Sequence, residues 1–141
     1  MSDNFLFSCR SLYLNGIEPF DFDQEQTPAY QQHITLGQQS LYLYGIQEFL
    51  GFLMEPQYCV APWAAFIGLE FGRFSANKVL KISGRATIVG ACLNTVKSYH
   101  SHTIADKRRV AAINWVMKMQ ERYRLTSPSN VITRDSSTSS E

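Results

Sequence analysis

The sequence predicts a single α+β domain, mainly α-helical: an N-terminal β-hairpin, then about four to five helices, then a disordered C-terminal tail. Three observations carry that expectation. The 141 residues are 45% hydrophobic and 18% charged, enough apolar side chain for one buried core. Apolar residues recur at helical spacing through most of the chain after Ile46. The first strongly apolar stretch alternates instead, and Asn15-Gly16 closes it.

Taken in order, Phe5, Phe7, Cys9 and Tyr13 alternate with Leu6, Ser8, Arg10 and Leu12, the period of a strand. Asn-Gly favours a type I′ turn because both of its residues accept positive φ, and Ile17 to Phe22 is then the returning strand, Pro19 lying at its edge. Residues 23–32 are a polar connection in which Thr27 can cap a helix opened by Pro28. Residues 40–44 are ambiguous and 46–54 helical. Ser11 to Phe20 and Ser40 to Phe49 match at seven of ten positions at an offset of 29, an internal echo without the three copies a solenoid needs.

Pro62 can open a helix whose apolar face carries Trp63, Phe66, Ile67 and Phe71. Ser75 or Asn77 can cap a short segment ending at Ile82, broken by Ser83-Gly84. Over 86–99, Ile88, Val89, Cys92, Leu93, Val96 and Tyr99 share one face, and the opposite face holds small or polar residues, Asn94 and Lys97 among them. His100-Ser101-His102 then interrupts, and a helix from about 104 to 124 follows, capped by Thr103. That helix is apolar nearly all round, so it contacts more than one element or a second subunit. Residues 126–141 hold nine Ser/Thr in sixteen and form the tail. The globular unit is therefore 1–125.

Charge divides this unit. Residues 1–77 carry eight acids and two bases, whereas 78–124 carry ten bases and two acids. Fifteen of the eighteen aromatic residues also precede residue 78, so an acidic aromatic half (1–77) is joined to a basic helical half (78–125). A net charge of +8 over 78–124 attracts polyanions unless the acidic half faces it and cancels it. The expected function is a small, non-enzymatic DNA-binding or transcription-regulatory protein, homodimeric, contacting phosphates through Lys78, Lys81, Arg85, Asn94, Lys97, Lys107, Arg108, Lys118 and Arg122. Lys107, Lys118 and Arg122 fall within roughly 60° of one another on a helical wheel, a stripe about 20 Å long.

Other chemistries find less support. The pair His100 and His102 lacks a third ligand nearby in sequence, so no metal or other cofactor is expected. No catalytic motif is present. The three cysteines (Cys9, Cys59, Cys92) are widely spaced, which suits a reducing cytoplasm and not a disulfide scaffold. The longest apolar run, Tyr58 to Leu69, is too short to span a membrane, and no secretory signal opens the sequence. The competing reading is an adaptor or inhibitor that binds a protein through its acidic aromatic half. A third is a small-molecule pocket lined by Tyr58, Trp63 and Phe66.

Overall fold

The structure is a computed structural model that describes residues 3–102 and 106–125. Five α-helices lie within them: α1 (Asp3–Leu14), α2 (Pro28–Phe49), α3 (Val60–Phe71), α4 (Ile88–His102) and α5 (Asp106–Leu125). Short 3-10 turns at Phe22–Gln24, Leu50–Met54 and Gln57–Cys59 join them. The expected tail and the Thr103 cap lie outside the described residues.

The expected N-terminal β-hairpin is corrected: among the described residues there is no strand, only a single antiparallel bridge between Val79 and Thr87. Residues 5–14 satisfy two periods at once, and burial selects the helical one. Phe5, Cys9 and Leu12, spaced i, i+4, i+7, are all buried, while Phe7 and Leu14 are exposed. Asn15-Gly16 does require a positive φ, but for a helix stop. Gly16 (φ 77°) ends α1, with the Ile17 N–H donating to Leu12 O at 2.9 Å and the Gly16 N–H to Tyr13 O at 3.1 Å. That pair of bonds is the Schellman arrangement, which satisfies carbonyls left open at a helix end.

The internal echo survives as structure. Its second copy places Gly45, also at positive φ (80°), where Gly16 stands in the first. Leu41 and Phe49 are buried, like their counterparts Leu12 and Phe20, and Tyr42 and Leu43 are exposed, like Tyr13 and Leu14. The copies part after the glycine. Pro19 has no N–H to continue a helix, whereas Ile46 to Phe49 resume one beyond the kink, so α2 bends at Gly45 without ending. Thr27 caps α2 as expected, accepting the Tyr30 N–H at 3.3 Å.

Helix α3 is the centre of the molecule. Val60, Trp63, Ala64, Ala65, Phe66, Ile67 and Leu69 are buried, because α1, α2 and α4 all pack against it. Its approach to α2 is close at Gly37, where a Cβ would stand 2.3 Å from Ile67 Cδ1 and 3.3 Å from the Phe5 ring. Beside this crossing sits His33, fully buried, its ring stacked on Phe5 (5.4 Å) and edge-on to Trp63 (4.4 Å). Its Nδ1 is hydrogen-bonded to the Ser8 hydroxyl at 2.6 Å. Burial pushes the imidazole down to about 3, so it stays neutral in the core.

Two further expectations are revised. Residues 75–82 form no helix; they run through turns and the single bridge, held by Leu80 N–H to Ala86 O and Ile88 N–H to Lys78 O, each 2.8 Å. Likewise His100, Ser101 and His102 do not interrupt the chain but complete α4. The predicted apolar face of α4 does enter the core: Ile88, Cys92, Leu93 and Val96 are buried. In α5, Ala112, Trp115, Val116 and Met119 are buried, while Val110, Ile113 and Met117 stay exposed.

Two measurements check this packing. Gly37→Ala should cost about 2 kcal/mol in a denaturant titration, since Ile67 or Phe5 must move to admit the methyl. His33 has a folded pKa below its unfolded value near 6.5, so its stabilising contribution is complete above that value and is lost as pH falls toward 3. The loss should reach about 2 kcal/mol at pH 5, and His33→Gln, although less stable at pH 7, should lose correspondingly less between the two.

Candidate polyanion interface

The nine expected contact residues separate into two environments. On α5, three of them turn toward the acidic half. Lys107 pairs with Asp23, Arg108 Nη2 lies 3.5 Å from Glu18 Oε1, and Arg122 Nη1 donates to Glu70 Oε1 at 3.2 Å. Each pair joins the basic half to the acidic one. Neighbouring hydroxyl and indole groups reinforce them: the Tyr99 hydroxyl donates to Glu18 Oε1 at 3.0 Å and Trp115 Nε1 donates to Glu70 Oε2 at 2.8 Å. Two of the three cations in the Lys107–Lys118–Arg122 stripe therefore face carboxylates of the same chain. The third, Lys118, lines a cleft of about 510 Å³ that also contains Glu25 and Glu70.

The other environment is the α3–α4 connection. Lys78, Lys81 and Arg85 are all exposed there, and Arg73 joins them; among the described residues none of the four makes an ion pair. Arg73 escaped the sequence reading because the division at residue 77 counted it with the acidic half. No Asp or Glu occurs between Phe71 and Thr87. The cations stand on a backbone that is fixed from three sides. Leu80 is buried beneath the loop as an anchor. The Ser83 hydroxyl donates to Leu80 O at 2.8 Å and accepts the Ala86 N–H at 3.1 Å, and Gly84 (φ 77°) makes the reversal. From α2, Gln47 Nε2 donates to Val79 O at 3.0 Å while its Oε1 accepts the Lys81 N–H at 2.9 Å. The side-chain amide thus does what a neighbouring strand would do.

The loop leads directly into α4, whose first turn is capped by Thr87 Oγ1 accepting the Gly90 N–H at 2.9 Å. Further along α4, Asn94, Lys97 and Ser98 are exposed, and Gly90 and Ala91 are half-buried. The cationic loop and a helix with small outward side chains are consecutive in the chain, a combination that lets backbone approach a phosphate surface closely. Gln47 had no sequence signal beyond its place two residues after a helix-breaking glycine.

The side chains with catalytic potential are differently placed. His33 holds Ser8 but is buried and kept neutral. Burial raises all three thiols, Cys59 to about 11 and Cys92 to about 12, so they stay protonated and weakly nucleophilic near neutrality. Among the described residues no three His, Cys, Asp or Glu side chains converge as a metal site would require. Trp63 is buried in the core, and Tyr58 and Phe66 line different clefts, so the three do not form one pocket. No described helix is long and apolar enough to cross a membrane.

Glu70 offers a check on the α5 arrangement. Glu70→Gln keeps an acceptor for Trp115 and should cost less than about 1 kcal/mol, whereas Glu70→Ala leaves the indole N–H unpaired and should cost about 2 kcal/mol in equilibrium unfolding. Compared with known proteins, the chain matches no family model, no curated protein and no solved structure.

Proposed function

We propose that this chain is a small, non-enzymatic, cytoplasmic nucleic-acid-binding protein that contacts phosphates through Arg73, Lys78, Lys81 and Arg85, with Asn94 and Lys97 of α4 beside them. One observation supports this reading above the others: four exposed cations share a hydrogen-bonded loop with no carboxylate in it. Such a loop holds positive potential where a polyanion can reach it, and the order of the loop limits the entropy lost on binding. Lys107, Arg108 and Arg122, already facing Asp23, Glu18 and Glu70, contribute less to that potential.

The adaptor reading draws on the exposed Tyr42, Leu43 and Met54 of the N-terminal half. Its electrostatic part is weaker, because Glu18, Asp23 and Glu70 are engaged by cations of the same chain.

Fluorescence anisotropy with random duplex DNA separates these ideas. Binding should be measurable at about 50 mM salt and weaken about a hundredfold by about 200 mM, the dependence expected for roughly four phosphate contacts. Lys78→Glu, Lys81→Glu and Arg85→Glu combined should reduce affinity at least about tenfold, while Lys107→Ala should change it less than about twofold. Folded protein that shows no binding at low salt, or a triple variant that binds as well as the parent, overturns the proposal.

A further inference from the structure

Where α2 bends, it and the start of the α3–α4 connection enclose a cleft of about 520 Å³ lined by Gln38, Tyr42, Gly45, Ile46, Phe71 and Arg73. Two glycines place its walls. Gly45, at φ 80°, turns the helix and leaves open space where a side chain would stand. Gly72 carries the chain off α3 so close to α2 that a Cβ would lie 3.0 Å from Ile46 Cδ1, and this brings Arg73 to the cleft. Tyr42 is 89% exposed, so its ring is open to solvent, and Phe71, 40% exposed, adds a second aromatic wall. No carboxylate lines the cleft, and among the described residues Arg73 makes no ion pair.

We propose that this cleft takes one unpaired base of a single-stranded nucleic acid, stacked on Tyr42, while Arg73 holds an adjoining phosphate and the strand continues to Lys78 and Lys81. The inference rests on the phosphate-binding reading above and adds the class of strand. Any nucleic acid offers Arg73 a phosphate. A duplex, however, covers its base faces with their neighbours, and only a single strand has a face free for an exposed tyrosine. Every base has such a face, so the stacking tolerates many sequences. The exposed Gln38 amide both donates and accepts, which suits the hydrogen-bonding edge that an unpaired base no longer shares with a partner strand. A free nucleotide would use Arg73 alone, whereas Lys78 and Lys81 call for a chain of phosphates. The two sites also lie near each other. Gln47, whose amide holds Val79 and Lys81, stands five residues beyond Tyr42 on α2, roughly 8 Å at 1.5 Å per residue. A strand following α2 therefore meets the tyrosine and the loop cations within the length of a few nucleotides.

Fluorescence anisotropy of the full chain at about 50 mM salt tests it with labelled probes of about 12 nucleotides: oligothymidylate, oligouridylate, an abasic strand with the same number of phosphates, and a duplex. At least one base-bearing strand should bind at least about fivefold tighter than the abasic one, and the tighter of the two identifies DNA or RNA as the source. Tyr42→Ala should weaken that strand about tenfold and change the abasic strand and the duplex less than about twofold, with the far-ultraviolet circular dichroism unchanged. Tyr42→Phe, which keeps the ring, should retain the parent affinity. An abasic strand that binds as well as the base-bearing ones, or strand binding that Tyr42→Ala leaves unmoved, overturns this inference while the phosphate reading stands. Folded protein that binds none of the probes overturns both.

Discussion

Helix α3 has almost no solvent face: nine of its twelve residues are buried, so every neighbouring element must offer it an apolar surface. That requirement sets the rest of the fold. Helix α2 approaches most closely where Gly37 leaves room for Ile67, and α1 is drawn in at the same point through Phe5. His33 lies in the same layer between Phe5 and Trp63, a polar ring accepted in the core because Ser8 satisfies it and burial keeps it neutral. Helix α4 covers the opposite side with Ile88, Cys92 and Val96. A helix buried this completely contributes stability through contact on all sides, so changes in any of its neighbours are felt at the centre.

Charge is arranged around this apolar centre and not within it. The acidic and basic halves meet along α5, where Asp23, Glu18 and Glu70 receive Lys107, Arg108 and Arg122. Isolated pairs of this kind at the surface contribute modestly, but the Tyr99 and Trp115 hydrogen bonds to Glu18 and Glu70 tie two of the three to the core. The cations outside this arrangement are concentrated on the α3–α4 connection, which contains no acid of its own. Uneven cancellation, more than net charge, gives the molecule a basic side.

The helical half of the chain was legible in its sequence because α4 repeats its apolar residues on one helical face and α5 is a long run without Gly or Pro. The N-terminus was less so. Phe5, Cys9 and Leu12 fit a helix while Phe5, Phe7 and Cys9 fit a strand, and only the presence of α2 and α3 on one side decides between them. At Asn15-Gly16 the local conformation was readable, since glycine reports a positive φ, but not what lay on either side of it. The pairing of α5 with Glu18, Asp23 and Glu70 was invisible for a related reason: those partners are 45 or more positions away, and helical-wheel reasoning compares only residues of one helix. Lys78, Lys81 and Arg85 were readable as cations, though their setting on a bridged loop depended on Gln47, which the sequence did not single out.

The two bonds from Gln47 have a kinetic consequence. Because the amide spans Val79 and Lys81, the shape of the connection is inherited from the bent end of α2. Under the proposed function, an incoming polyanion would meet a preformed template, and its capture would be set by collision and orientation without a wait for the backbone to rearrange.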